Sequence, residues 1–449
     1  MKATALEQVQ QTRRNQGEMR IADLIANPGA LLGSSATGAC LHYCAPTHGG
    51  WGVVRTAMLV PELYMLFVCP SACGRHGAIA AIEHGCKDRV GYLCIEDHEI
   101  VLGNYEDEIR NALPALMAQI KPAPKAFSIV VSCIDDLLGT DYDQMLEEFE
   151  DTYGIPFRLG RMNPISLDGK LPPGKRVQRD MYDLLQAPLS RDRSIALVGT
   201  FQPIAAESEI HAMLKAAGWQ ALRHIANCRS FEEFQRLGAA SLNLATRPEG
   251  LAAAQNLLEK YGTPFIFAPT SFSETGILRR YEDLAQATGM AVDCAENQAQ
   301  LRVLAEATRD EVGDRSIAID GSATCAPFDL ARALIEAGFN VSAIFTEKLP
   351  DFERPAFEWL AVHAPDLKVA LPVSPTNSWR RPDTPTADIA IGFTAAYLTA
   401  APHVVPISFD EGLYGYHGMS MVYQALRQSL SNTQSESLED MVNAYGLVI

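Results

Sequence analysis

The cysteines are the residues of this sequence with the clearest capacity for chemistry. Two pairs, Cys40/Cys44 and Cys69/Cys73, lie close together near the start of the chain. The short apolar run at 64–68 predicts a buried strand that ends at the second pair. Parallel α/β sheets place ligands at the carboxyl ends of their strands. A helix beginning there would favour thiolates and cluster sulfides through its free N–H groups. The pattern therefore predicts a metal or iron–sulfur site, with buried structural thiols as the alternative.

Two further cysteines also follow apolar stretches. Cys133 comes directly after the predicted strand that contains Ile129–Val131, which matches the position of the second pair. The alternative is a core cysteine beside a helix-capping turn. Cys228 is followed by Arg229, and a neighbouring arginine is expected to lower a thiol pKa, which suits a ligand or a nucleophile. Ser230 is predicted to cap a helix at 231–237, so a cysteine at a helix start without a chemical role is the alternative.

His417 is a histidine in a glycine-rich turn just before a predicted helix. Glycines allow a bulky group to approach the backbone, and a neutral imidazole there can bind a metal. A lone histidine is more often structural or exposed, and its local sequence leaves both interpretations open.

Composition excludes several classes of protein. The 449 residues are 47% hydrophobic and 20% charged, as in globular proteins, and the net charge of −17 argues against nucleic-acid binding. No apolar run reaches the ~20 residues that span a membrane. The first twenty residues lack a secretory signal, so we expect a cytoplasmic protein, where disulfides are disfavoured. The CxxxC spacing is not that of a zinc ribbon, and no GxxxxGK[ST] motif is present, so we do not expect the chain to hydrolyse ATP itself.

Strand-like and helix-like segments alternate along the chain, which predicts parallel α/β sheets. We expect an N-terminal arm at 1–35, a helix and a segment lying on the surface or on a partner. Three Rossmann-like domains are predicted to follow, at 36–185, 186–310 and 311–449, with a cofactor cleft between domains. The Gly-, Pro- and charge-rich stretch 160–180 is predicted to be a long exposed loop. The predicted strands are 64–68, 90–95, 128–133, 195–200, 240–244, 265–268, 317–319, 341–345, 369–371, 389–391 and 404–407.

Taken in order, these residues resemble component 1 of the nitrogenase superfamily, specifically its α (catalytic, D-type) subunit. Each motif is weak alone, but several in the right order are more specific. The motifs that carry the resemblance are Cys44 before Gly52-Val53-Val54, Cys73-Gly74, Ile100–Gly103, Ser132-Cys133-Ile134 before Gly139-Thr140-Asp141, Asn227–Ser230, and Tyr416-His417-Gly418.

The resemblance implies two iron–sulfur groups. Cys44, Cys73 and Cys133 would hold this subunit's share of a P-cluster-type [8Fe-7S] cluster, shared with a sister β-like (K-type) subunit. Cys69 is the alternative to Cys73, because the two lie one helical turn apart. Cys228 and His417 would bind a large Fe–S cofactor related to FeMo-cofactor or to its all-iron precursor.

The resemblance also implies charged residues around that cofactor and a set of partners. Arg229, Arg380 and Arg381 would offset the negative charge of the cluster. Electrons would come from a separate ATP-dependent Fe protein, and the assembly would be a heterotetramer without nucleic acid or membrane.

The substrate expectation rests on a missing residue. The region 155–180 contains no histidine, where nitrogenase α subunits carry one beside the reactive face of the cofactor. A nitrogenase-like methylthio-alkane reductase, which cleaves C–S bonds of small thioethers, is therefore the predicted relative. The alternatives are a cofactor-maturation scaffold of the same family, a dinitrogen-reducing α subunit, and a periplasmic-binding-like α/β protein with incidental cysteines.

Overall fold

A computed structural model gives the fold of the chain. It describes residues 17–32, 43, 52–132, 134, 140–161, 171, 173–378, 384–410, 412–431 and 437–445. Its strands, in chain order, are β1 (Glu18–Arg20), β2 (Leu63–Cys69), β3 (Val90–Cys94), β4 (Ala126–Val131), β5 (Phe157–Arg161), β6 (Asp192–Val198), β7 (Ala221–His224), β8 (Ala240–Ala245), β9 (Phe265–Phe267), β10 (Ser316–Asp320), β11 (Asn340–Phe345), β12 (Lys368–Ala370), β13 (Ile389–Ile391) and β14 (His403–Val405).

Helices connect most of these strands. In chain order they are α1 (Ile21–Leu24), α2 (Val53–Ala57), α3 (Ser71–Glu83), α4 (Asp97–Leu102), α5 (Tyr105–Gln119), α6 (Tyr142–Tyr153), α7 (Pro173–Tyr182), α8 (Glu209–Ala216), α9 (Phe231–Gln235), α10 (Leu251–Tyr261), α11 (Glu274–Thr288), α12 (Ala295–Val312), α13 (Pro327–Glu336), α14 (Arg354–His363), α15 (Phe393–Thr399), α16 (Gly415–Ser431) and α17 (Leu438–Ala444). Within the described ranges, none of them combines the length and apolar character needed to cross a membrane.

The strands form a first, a second and a third sheet. The first has the order β3-β2-β4-β5, the second β7-β6-β8-β9, and the third β1-β12-β11-β10-β13-β14. Neighbouring strands are parallel except β1, which pairs with β12 in the antiparallel sense. The predicted α/β class with parallel sheets is therefore confirmed, while the predicted domain boundaries stay a prediction.

The first sheet is covered on both faces, as expected for parallel strands. Met65 and Phe67 of β2 belong to one core cluster, and Leu66 and Val68 belong to another. The first of these clusters also contains Leu257 of α10, so it joins the first sheet to the second. This arrangement explains why β2 reads as an unbroken apolar run in the sequence.

Two segments differ from the sequence prediction. The stretch 160–180, predicted to be an exposed loop, overlaps the last two residues of β5 and most of α7. Val177, Met181 and Tyr182 are buried, so α7 has an apolar face at helical spacing despite its many charges.

The described part of the predicted N-terminal arm, 17–32, does not lie on the surface as a helix. It supplies β1 at the edge of the third sheet and the four-residue α1, and it buries Met19, Ile21 and Leu24. This segment has too few apolar residues for their periodicity to predict its structure. The strand forms because it pairs with β12, which is distant in the chain.

Candidate functional site

The carboxyl ends of β2 and β3 carry one cysteine each. Cys69 and Cys94 are direct partners in the parallel ladder. Two positions earlier, Phe67 and Tyr92 are also partners, and their rings stack with centroids 5.4 Å apart. Because side chains two positions apart lie on the same face of a strand, Cys69 and Cys94 share the face of this aromatic pair.

Helix α3 packs on that same face through two glycines. A Cβ at Gly74 would lie 2.9 Å from Tyr92 Cδ1 and 3.6 Å from Cys69 Sγ. A Cβ at Gly77 would lie 3.0 Å from the Phe67 ring. Absence of a side chain at both positions lets the helix approach closely. Its first turn, with Cys73, therefore starts over the end of β2.

We call Cys69, Cys73 and Cys94 the thiol edge. Cys69 is buried, whereas Cys73 and Cys94 are exposed, and all are free thiols. Burial first, and then the negative charges that Cys73 and Cys94 would carry as thiolates, raise the pKa of Cys69 to about 11. Cys69 is therefore a protonated thiol behind two thiols that face solvent.

The start of α3 adds a positive end to this edge. The helix has 13 residues, and its N-cap residue is Pro70, which makes no side-chain cap hydrogen bond. The first N–H groups of such a helix carry partial positive charge and stabilise anions. Across the part of the chain that the structure describes, no three His, Cys, Asp or Glu side chains converge closely enough to hold a single metal ion.

A second candidate site is a cavity of about 870 Å³ at the carboxyl ends of the second and third sheets. We call it the inter-sheet cavity. Its wall combines apolar side chains, such as Leu32, Phe345 and Phe409, with charged ones and one thiol. The charged groups and the thiol are Lys175, Arg247, Glu249, Asp320, Glu347, Lys348, Arg354 and Cys325.

A buried ion pair closes one wall of this cavity. Arg247, two residues past β8, donates a hydrogen bond from Nη1 to Asp410 Oδ2 and one from Nε to Glu249 Oε2 at 3.3 Å. Arg247 is 4% exposed and Asp410 is 5% exposed. The backbone N–H of Cys325 also donates to Asp410 Oδ2, at 2.9 Å. The pair therefore connects the loop after β8 to the loop after β14, and the Cys325 N–H adds the loop after β10.

Asp320 is the buried acid of the cavity wall. It is 2% exposed and lies at the end of β10. Burial raises the pKa of its carboxyl, and the hydrogen bonds it accepts from the N–H groups of Ser322 and Thr394, at 2.8 and 2.6 Å, oppose that rise. A buried acid with a raised pKa in a cavity can deliver a proton to a bound molecule.

Cys228 lies away from this cavity. It follows β7, packs against the core cluster between the first and second sheets, and directs its Sγ to the carbonyl of His224 at 3.7 Å. Burial first, and then Glu233, raise its pKa to about 11, while Arg223 lowers it. The predicted lowering of this pKa by Arg229 is therefore wrong, because burial outweighs the nearby cations. Ser230 caps α9 as predicted, accepting from the Glu233 N–H at 3.2 Å.

His417 lies in the first turn of α16. Its N–H and that of Tyr416 donate to Glu209, at 3.1 and 2.6 Å, so Glu209 closes the start of the helix. Tyr416 belongs to the core cluster of the second and third sheets, not to the one that Cys228 joins. Neither Cys228 nor His417 lines the inter-sheet cavity. The structure thus does not bring these two predicted ligands together at that cavity.

Comparison with known proteins gives the family. Residues 49–431 match the family model for nitrogenase component 1 type oxidoreductases. The chain belongs to this family. It is therefore an oxidoreductase of nitrogenase-like type, and membership implies the use of iron–sulfur clusters. The family resemblance predicted from the motifs is confirmed at this level.

Solved structures agree with this family assignment. A chain from "Nitrogenase Cp1 at pH 6.5" has 16% sequence identity to this chain and a TM-score of 0.64, over 86% of this chain and 93% of that one. A chain from "Nitrogenase Cp1 at pH 5" has 13% identity and a TM-score of 0.62, over 95% and 97%. At such identity the likeness shows the nitrogenase component 1 fold alone. Among curated proteins, none matches the chain.

Several predicted site residues of this nitrogenase component 1 type chain lie outside the described residues. They are Cys44, Cys133, Arg380 and Arg381. Cys73 lies on the thiol edge. Arg229 is near Cys228 in the chain, and its N–H donates to Glu233 Oε2 at 2.7 Å.

The sequence prediction did not single out Cys94, Cys325 or Arg247 as site residues. Each one follows, or ends, a strand of a parallel sheet, and this was the signal that selected Cys69 and Cys133. Cys94 ends β3 and Cys325 lies in the loop after β10. Applied to every predicted strand, the same rule would have found both cysteines.

Proposed function

We propose that this chain is the catalytic subunit of a nitrogenase-like reductase. The thiol edge carries the proposal. Free thiols at the carboxyl edge of a parallel sheet, next to the start of a 13-residue helix, form a donor set that suits an iron–sulfur cluster. Thiolates bind iron, and the positive helix end offsets the negative charge of a cluster.

The cluster would be of P-cluster type and shared with a sister β-like subunit. Cys73 supplies one ligand, and Cys44 and Cys133, which the resemblance assigns to the same cluster, would supply others. A separate ATP-dependent Fe protein would deliver electrons. The exposure of Cys73 supports this arrangement, because a shared cluster requires ligands that a second subunit can reach.

The substrate would be a small thioether bound in the inter-sheet cavity. Reduction of a methylthio-alkane breaks one C–S bond, consumes two electrons and two protons, and yields methanethiol and a hydrocarbon. The apolar wall of the cavity suits the alkyl groups, and Asp320 is the acid that would supply a proton. Asp320→Asn should lower turnover and flatten its dependence on pH, since the carboxamide cannot donate as a carboxylic acid does.

The residues predicted to hold a large Fe–S cofactor do not fit a common site at the cavity. Cys228 packs in a core cluster and His417 lies at the start of α16, and neither lines the cavity. We derive no step through such a cofactor, and the pair Cys228 and His417 stays a prediction. Iron content tests whether this pair binds a cofactor. Cys228→Ala and His417→Ala should each lower the iron per chain, and unchanged iron in both variants would contradict the assignment of the two residues as ligands.

Anaerobic purification of the complex with its partner subunit tests the proposed function. We expect a brown protein with several irons per chain and an EPR signal on reduction. With Fe protein, ATP and a reductant, dimethyl sulfide and ethyl methyl sulfide should release methanethiol. Dinitrogen and a tetrapyrrole are the comparison substrates.

Matched variants give this experiment its control. Cys73→Ser should lose iron, whereas Cys86→Ser, a buried thiol of the same sheet region, should keep it. Iron-free, colourless protein with full activity would overturn the proposal. Iron without turnover on any substrate would favour a maturation scaffold.

A further inference from the structure

We propose that Cys94 is a ligand of the cluster at the thiol edge, in addition to Cys73, and that Cys69 is the buried thiol behind both. The inference rests on the proposed function, since it concerns the same cluster. It adds a cysteine that the motif resemblance does not assign. It also decides between Cys69 and Cys73, which the sequence leaves open.

The strand register brings Cys94 to the edge. Cys94 pairs with Cys69, and the backbone N–H of Ile95 donates to the carbonyl of Cys69 at 3.1 Å, so the ladder continues to the last residue of β3. Adjacent strands lie roughly 4.8 Å apart, and both side chains lie on the same face. A group bound over the end of β2 is therefore within reach of the Cys94 side chain.

The seating of α3 brings Cys73 to the same place. Gly74 rests on Tyr92 and on the sulfur of Cys69. Cys73, the residue before it, begins the helix over the ends of β2 and β3, and its N–H bonds the carbonyl of Pro70 at 2.9 Å. Cys73 and Cys94 thus approach one region of surface from a helix and from a strand, with Cys69 between them at a lower level.

Burial separates the roles of the three thiols. Cys73 and Cys94 are the exposed cysteines of the described ranges, and Cys69 is 2% exposed beneath α3. Iron can reach the sulfur of an exposed cysteine directly, whereas the sulfur of Cys69 is covered by α3. The buried Cys69 is then a thiol that packs against the site without binding iron.

The start of α3 adds hydrogen-bond donors that suit a cluster. Among the described residues, no three His, Cys, Asp or Glu side chains are placed to hold a single metal ion. The cysteines of a cluster lie further apart, because iron and sulfide atoms stand between them. The N-cap residue of α3 is Pro70, which makes no side-chain cap hydrogen bond to the first N–H groups of the helix, and cluster sulfides can accept hydrogen bonds from such groups.

Iron content and spectroscopy of three variants test the inference. Cys94→Ser and Cys73→Ser should each weaken cluster binding by at least roughly tenfold, since even removal of a group that only orients a ligand costs about that much. Their residual EPR or Mössbauer signals should differ from those of the unaltered complex. Cys69→Ala should keep both iron and signal. Normal iron and an unaltered signal in Cys94→Ser would overturn the inference.

Alkylation of the unaltered full chain gives a second measurement, independent of whether the variants fold. In iron-stripped protein, iodoacetamide should modify Cys73 and Cys94 quickly and the buried Cys86 slowly. In iron-loaded protein both exposed thiols should be protected. Equal modification of Cys94 with and without iron would overturn the inference.

The failure of the inference can be told apart from the failure of the proposed function. Iron lost from Cys73→Ser but retained in Cys94→Ser would leave the reductase proposal standing and would remove Cys94 from the cluster. Unaltered protein that binds no iron would remove both.

Discussion

Removal of Arg247 should open the wall of the inter-sheet cavity. Arg247→Met takes away one member of a buried ion pair and leaves Asp410, 5% exposed, without its guanidinium partner. Removing one partner of a buried pair costs about 3–5 kcal/mol, because the remaining charge stays desolvated. Asp410→Asn should cost less, about 1–3 kcal/mol, because Arg247 keeps Glu249 at 3.3 Å.

The double variant measures how much of this cost belongs to the pair. Asp410 has a φ of 56°, a left-handed conformation that asparagine also tolerates, so Asp410→Asn changes charge without adding backbone strain. Combined with Arg247→Met, it should cost less than the sum of the single variants by about 0.5–3 kcal/mol.

Hydrogen exchange at Cys325 is the assay. A chain with several sheets need not unfold in one step, so a local probe is better than a global transition. The Cys325 N–H donates to Asp410, and a loss of about 3–5 kcal/mol should speed its exchange by roughly a hundredfold to a few thousandfold. Unchanged exchange in Arg247→Met, or strictly additive single effects, would refute the assignment of this pair as the connection between the loops after β8 and β14, to which Cys325 is bonded.

Three further outcomes are expected. Gly74→Ala places a Cβ 2.9 Å from the Tyr92 ring. The overpacking cost of about 1–3 kcal/mol should exceed the gain of about 1 kcal/mol in helix propensity, so the thermal midpoint should fall. An unchanged midpoint would mean that the ring moves aside. Ser230→Ala should cost about 1 kcal/mol through loss of the helix cap, seen as faster amide exchange in α9, with Ser230→Gly as the milder comparison. Burial raises the pKa of Asp183, but hydrogen bonds, first that from Lys260, outweigh burial and lower the pKa. The ionised Asp183 therefore stabilises the fold above the unfolded pKa of about 4, and this stabilisation is lost as pH falls through the folded pKa. The urea midpoint should accordingly differ less between neutral and acidic pH in Asp183→Asn than in the unaltered chain.

The inner strands of the sheets, such as β2, β4 and β6, were predictable because they are buried on both faces. The run 64–68 is apolar at every position, as are the first four residues of 195–200, and turn residues follow both. Both lie within β2 and β6, apart from the last two residues of the second run. The end of such a run marks the edge where ligands bind, so Cys73 could be selected from sequence.

The partners of each thiol could not be predicted in the same way. That Cys94 stands beside Cys69 depends on the register between β2 and β3, and on two glycines that let α3 approach Phe67 and Tyr92. The pKa of Cys228 shows the same limit. Sequence shows an adjacent arginine, but the burial that raises this pKa comes from residues distant in the chain.

The inter-sheet cavity illustrates a third limit. Arg247 has the sequence of a surface residue before a turn, and only the fold buries it against Asp410, 163 positions away. Helix α7 was missed for a related reason. Its charges suggested a loop. Val177 and Met181 form an apolar stripe on the helix, but the sequence does not show which part of the chain buries that stripe.

The pairing of β1 with β12 has a consequence during synthesis of the chain. Met19 pairs with Val369, 350 positions later, since 369 − 19 = 350. At roughly 5–20 residues per second, a ribosome needs roughly 20–70 s to make the partner strand after β1 has been made. Throughout that interval Ile21 and Leu24, buried in the finished fold, have no native partner and are available to chaperones or to other chains. A fragment that begins after residue 24 would avoid this wait, but it would leave the edge of β12 unpaired and prone to association with other strands.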